Sequence, residues 1–127
     1  MDTRHVPSLE LCQEFDRLCK EKNITIPETE FYWVEATISG EWYLASNADN
    51  HYSPATKGFF PAPLVSEQLE WLPKFTKISR GYGNTNAHLY IYPDKYDRFE
   101  NSPSNAAQGL INDLIAKGVI TKLWKNN

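Results

Sequence analysis

Residues 31–46 read Phe31-Tyr32-Trp33-Val34-Glu35-Ala36-Thr37-Ile38-Ser39-Gly40-Glu41-Trp42-Tyr43-Leu44-Ala45-Ser46, two runs of β-branched and aromatic residues either side of a Ser-Gly dipeptide. Side chains of these types fit a pleated, half-buried surface, and Ser39-Gly40 supplies a two-residue turn signal, so the stretch predicts a β-hairpin. A second one follows the same logic. Phe75 to Arg80 and Ala87 to Tyr92 alternate as strands around Gly81-Tyr82-Gly83-Asn84-Thr85-Asn86. Asp94 to Glu100 extends the pattern as a charged edge strand after the Pro93-Asp94 turn.

Helical patterns flank and separate the hairpins. Ser8 precedes a stripe of Leu11, Cys12, Phe15, Leu18 and Cys19, which predicts an amphipathic helix from Ser8 to Lys22, ended by Asn23 and Pro27. Leu64 to Lys74 reads as a shorter helix that Pro73 disrupts. Ser102-Pro103-Ser104-Asn105 opens a third, with Ala107, Leu110, Ile111, Leu114 and Ile115 at helical spacing and Gly118 as its C-terminal cap. The tail from Val119 to Trp124 is apolar enough to pack back, and Lys125 to Asn127 is expected to fray. Asn47 to Pro63, punctuated by Pro54, Gly58, Pro61 and Pro63, reads as a long irregular loop, the kind that is often functional.

The order is therefore α-β-β-α-β-β-(β)-α. Strands that arrive as hairpins pair antiparallel, so the fold class is α+β, with one antiparallel sheet of four to five strands and the helices packed on one face. At 127 residues the chain is expected to form a single domain, residues 1–127, around one core. Pleat alternation sorts Val34, Ala36, Ile38, Trp42, Leu44, Ile78, Leu89 and Ile91 onto the helix-covered face. The opposite face collects Phe31, Trp33, Glu35, Tyr43, Lys77, His88, Tyr90 and Tyr92.

Composition narrows the function. A net charge of −3 argues against broad nucleic-acid binding, which needs a clustered basic surface. Met1 to Pro7 carries no apolar segment and no stretch reaches membrane-span length, so a cytoplasmic protein without a membrane partner is expected. Cys12 and Cys19, about 10 Å apart along one helix face, exceed disulfide reach and read as small buried apolar residues. His5, His51 and His88 lie far apart, and no zinc-ligand spacing, phosphate loop or nucleophile elbow occurs. No cofactor, metal or catalytic residue is assigned. Gly81 to Asn86 begins like a dinucleotide fingerprint but lacks the third glycine and precedes a strand, so it reads as hairpin loop chemistry.

The informative excess is aromatic: four Trp, seven Tyr and six Phe, 13% of the chain. Rings beyond what a small core needs tend to line pockets or partner surfaces. Trp33, Tyr43, Tyr90 and Tyr92 could stack on a nucleotide while Lys77, Arg80 and His88 meet its phosphates and Glu35 reads a polar group or pairs across the strands. Two other readings of the same face are half-exposed strand formers without a ligand, and an interface with another copy or a target protein.

Trp42-Tyr43-Leu44 after Gly40-Glu41, Ala62-Pro63-Leu64 leading to Glu70-Trp71-Leu72, and Ser102-Pro103-Ser104-Asn105-Ala106-Ala107 leading to Leu110-Ile111 and Leu114-Ile115 carry a resemblance. From Leu11 to Ile120 the chain resembles a family of small accessory proteins of tailed bacteriophages and prophages, especially of Bacteroidetes-type hosts. The resemblance implies a non-enzymatic protein made in the host cytoplasm, sequestering a small nucleotide-like signal or inhibiting a host defence protein.

Overall fold

In a computed structural model the described residues are 5–36, 38–46, 56–72, 76–80, 87–91, 96–100 and 102–123, with backbone placement alone for 56–58, 76–80, 87–91 and 96–99. Among the described residues three helices and six strands follow in the order α1 (Leu9–Lys22), β1 (Phe31–Ala36), β2 (Trp42–Ser46), β3 (Thr56–Pro61), α2 (Val65–Trp71), β4 (Thr76–Arg80), β5 (Ala87–Ile91), β6 (Tyr96–Glu100) and α3 (Pro103–Ala116). All described strand pairs are antiparallel, so the α+β class stands.

Local chemistry explains where the helices start and stop. The Ser8 hydroxyl accepts from the Leu11 N–H, satisfying an otherwise orphaned donor of the first turn of α1, and the Ser8 N–H donates to Asn105 Oδ1 at 2.7 Å. At the other end Asn23 takes the left-handed conformation, φ 60°, which lets its N–H reach the Lys20 and Cys19 carbonyls. Ser102 caps α3 by accepting from the Asn105 N–H, with Pro103 in the first turn, where its missing N–H costs nothing. Gly118, just past that helix, has φ 76°, a conformation that side chains resist. α2 is shorter than expected. Leu64, at its N-cap, has no side-chain acceptor to offer; instead the Glu67 carboxylate reaches back to accept from the Leu64 N–H at 2.8 Å and from the Glu30 N–H at 3.2 Å, tying the helix to the residue before β1.

The expected single sheet of four to five strands is corrected to two three-stranded sheets, ordered β2-β1-β3 and β4-β5-β6. The additional strand is β3, which lies inside the stretch read as a 17-residue loop; residues 47–55 of that stretch lie outside the described residues. Its sequence, Thr56-Lys57-Gly58-Phe59-Phe60-Pro61, is punctuated like a loop because β3 is an edge strand. Only an edge tolerates the missing N–H of Pro61, and a register shift at Glu35/Ala36 opposite Gly58 and Thr56 accommodates one extra residue. β6 is the charged edge strand the sequence suggested. The Gly81 to Asn86 turn lies outside the described residues.

The helices do not share one sheet face. α3 packs against β5 and β6 on one side and against α1 and α2 on others, while α1 also runs along β3. Ten of the 14 residues of α3 are buried, and a helix covered all round must be apolar all round or internally hydrogen bonded. It is both. Leu110, Ile111, Leu114 and Ile115 join Phe15, Leu18, Cys19, Trp71, Ile120 and Leu123 in the main core, so the tail up to Leu123 does pack back. Ser104, Gln108 and Asn112, one turn apart, form a buried polar seam. Gln68 donates to the Ser104 carbonyl and to Gln108 Oε1, Gln108 Nε2 donates to Asn112 Oδ1 at 2.9 Å, and Asn112 Nδ2 donates to the Leu11 carbonyl at 3.1 Å. One directional chain of amides thus joins α2, α3 and α1. Both cysteines are buried and unpaired, as their spacing predicts.

Candidate functional site

The register of the first sheet decides which aromatic residues meet solvent. β1 pairs Trp33 with Leu44 and Phe60, and Val34 with Tyr43 and Phe59. Residues directly opposite share a face. One face therefore carries Phe31, Trp33, Leu44 and Phe60, which pack onto Val6, Cys12 and Ala62 in a second core. The other carries Tyr32, Val34, Tyr43, Phe59 and Pro61. On that face Val34 is completely covered, yet Tyr43 is 43% and Phe59 53% exposed.

This overturns the expected sorting of β2 against β1, which sets Trp42 and Leu44 beside Val34 and Tyr43 beside Trp33; the alternation within β1 and between β4 and β5 is as expected. A four-residue connection, 37–40, joins the strands, with the Ala36 N–H donating to the Glu41 carbonyl. Any even-numbered hairpin loop pairs odd positions with even ones, so Tyr43 shares the Val34 face and Trp42 and Leu44 share the Trp33 face. Trp33 is a partly buried core residue whose indole Nε1 donates to the Pro7 carbonyl at 2.9 Å. Glu35, half-buried and opposite Trp42 and Gly58, belongs to that same face. Trp33 and Glu35 are thus not in one site with Tyr43.

Of the remaining expected site residues, Lys77, Arg80, His88 and Tyr90 lie on the other sheet. β4 and β5 pair Lys77 with Tyr90 and Ser79 with His88, which sets Lys77, His88 and Tyr90 at positions of one face. Arg80 pairs with Ala87 and falls on the opposite face, and Tyr92 lies outside the described residues. The sequence reading joined these groups by assuming a single continuous sheet.

What the structure does assemble is a groove of about 530 Å³ between the last turns of α1, the segment after it and the exposed face of the first sheet. Tyr32, Phe59 and Pro61 form the sheet wall, Ile24, Ile26 and Pro27 the connecting wall, and Asp16, Cys19 and Lys20 the helix wall. Tyr32 and Phe59 meet edge-to-face, centroids 5.8 Å apart at 78°, an arrangement favoured by the ring quadrupoles. The Tyr32 hydroxyl accepts from the Thr29 N–H at 3.3 Å, which fixes the ring.

The charged groups of the groove come from one stripe of α1. Asp16, Cys19 and Lys20 stand at i, i+3 and i+4, so all three face the same way. Lys20 Nζ lies 2.8 Å from Asp16 Oδ2; the Asp16 side chain is 16% exposed and that of Lys20 77%. Burial pushes the Cys19 thiol up to about 12, with the Asp16 charge adding to the effect. Cys12, under the inner face, is raised further by burial, against a smaller opposing contribution from Trp33. Neither is a thiolate at neutral pH, so neither is a ready nucleophile. In the sequence Asp16 and Lys20 stand out only by their i, i+4 spacing beside the apolar stripe of this helix.

Among the described residues no cluster of three His, Cys, Asp or Glu side chains is placed to hold a metal ion, and no helix is long and apolar enough to cross a membrane. By fold the chain is an antiparallel α+β protein with two small sheets. No protein-family model, curated protein or solved structure matches it.

Proposed function

We propose that the chain is a non-enzymatic binding protein that holds a small nucleotide-like ligand in the groove between α1 and the exposed face of the first sheet. One observation carries the reading: an aromatic and proline-lined groove of about 530 Å³ with a charge pair on one wall, its carboxylate mostly buried and its ammonium exposed. That volume lies within the span of roughly 300–1,000 Å³ usual for small-molecule sites, and apolar walls with a few placed polar groups are their ordinary construction. Planar bases stack on rings of any kind, so in this reading Tyr32 and Phe59 take the part expected of Trp33, Tyr43, Tyr90 and Tyr92. Withholding the ligand from a host defence system is the role implied by the phage resemblance, and we extend the reading to it on that ground.

Isothermal calorimetry of the intact protein against a panel of mononucleotides tests the reading, with Phe59→Ala as the comparison. Phe59 is more than half exposed, so its truncation should leave the fold intact while weakening binding roughly tenfold or more. Absence of binding by every nucleotide, or an unchanged affinity in the variant, would sink the assignment.

A second reading draws on the exposure of Tyr43 and Phe59 side by side across Val34. An inhibitor of a host protein could dock on this aromatic patch. A stoichiometric complex that Tyr43→Ser disrupts while calorimetry with nucleotides stays silent would favour it.

A further inference from the structure

We propose that Asp16 and Lys20 select the base, and that the base is guanine. The inference rests on the groove being a nucleotide site and adds which edge it reads. The groove wall on α1 offers two unlike groups side by side: a carboxylate, which only accepts hydrogen bonds, and an ammonium, which only donates. The rest of the side-chain lining is apolar except for the Tyr32 hydroxyl, which the Thr29 N–H already engages.

The two charges are differently placed. Asp16 is mostly buried and so nearly fixed, while Lys20 is mostly exposed and can swing on its four-carbon stem. Lys20 lies against Oδ2 of the carboxylate, which leaves Oδ1 without an ion-pair partner among the described residues. A carboxylate withdrawn from water is stabilised by N–H donors and destabilised by facing carbonyls. The ligand edge that suits it presents two adjacent donors to Asp16 with an acceptor next to them for Lys20.

Among the common bases this order occurs on the Watson–Crick edge of guanine, where the 2-amino group and N1–H are adjacent and O6 follows. Adenine and cytosine each offer one donor group beside a ring acceptor, and uracil flanks its single N–H with two carbonyls that would face the carboxylate. Hypoxanthine is guanine without the 2-amino donor. The stacking contributed by Tyr32 and Phe59 is indifferent to the base, so discrimination falls to the charge pair.

Calorimetry with GMP, IMP and AMP on the intact protein, and on Asp16→Asn and Lys20→Met checked for folding by circular dichroism, tests this. GMP should bind roughly tenfold or more tightly than IMP, with AMP weaker again, because each lost donor leaves a carboxylate oxygen unpaired. Asp16→Asn should erase the preference, and Lys20→Met should weaken GMP while preserving the order. Equal affinities for GMP and AMP in the unaltered protein, or a preference that survives in Asp16→Asn, would overturn the choice of guanine and leave the groove as a nucleotide site. Silence toward all three would overturn both.

Discussion

The two faces of the sheet β2-β1-β3 are built from the same three strands and similar aromatic side chains, yet they have opposite fates. Trp33, Phe31 and Phe60 point to one side and meet Val6, Cys12 and Ala62; Tyr32, Tyr43 and Phe59 point to the other and leave Tyr43 and Phe59 partly in water. Aromatic content therefore does not by itself locate a binding surface. The position of α1 does. It runs along the edge strand β3, so Cys12 near its start serves the inner face while Asp16, Cys19 and Lys20 near its end wall the groove on the outer one.

The contrast is broken most directly at Trp33. Trp33→Ala should destabilise by about 3 kcal/mol, from lost packing plus the loss of the indole hydrogen bond to the Pro7 carbonyl, which keeps only the weak Cys12 thiol donor, as read by urea unfolding. Next comes the seam that fixes α1 on the sheet edge. Asn112→Ala removes the donor to the Leu11 carbonyl and the acceptor for Gln108, and should cost about 1–3 kcal/mol. If Asn112→Ala also weakens nucleotide binding, the placement of α1 and the groove are coupled. Trp33→Phe, which keeps a ring but deletes the indole donor, should cost about 1 kcal/mol and separates packing from hydrogen bonding at that position.

The cysteines sharpen the comparison through pH. The native Cys19 thiol titrates near 12 against an ordinary value of 9.0, so the protonated form is favoured in the folded state. Its contribution to stability is fully present below pH 9 and declines as pH rises from 9 toward 12. Cys19→Ala should flatten that decline in denaturation measured across the window, and a thiol reagent at pH 8 should react with the unfolded chain far faster than with the native one. A small effect is expected on the outer face, where Phe59→Ala loses the edge-to-face contact with Tyr32 and should cost no more than about 1.5 kcal/mol. A larger loss would mean that the face is core-like, and the contrast between the two sides would collapse.

Much of the fold was legible in local patterns. Ser8 and Ser102 marked both long helices, Gly118 marked the end of the last, and Phe31 to Ser46 paired as a hairpin. β3 was not legible, because an edge strand tolerates the glycine and proline that signal a loop elsewhere. Of the expected site, Tyr43 alone stands on the described aromatic face beside Phe59, while Tyr32, Asp16 and Lys20 carry little local signal that sets them apart from other strand and helix positions.

The sequence by itself determined the helices, most of the strands and the antiparallel class, since caps, turn residues and hydrophobic period act over a few neighbouring residues. The tertiary structure alone decided that the strands divide into two sheets, which face of the first is covered, and that Asp16 and Lys20 meet Tyr32 and Phe59. Pairing partners and the side on which a helix settles depend on contacts between residues distant in the chain. A shift of a single residue in register exchanges the two faces of a strand, so local sequence cannot choose between them.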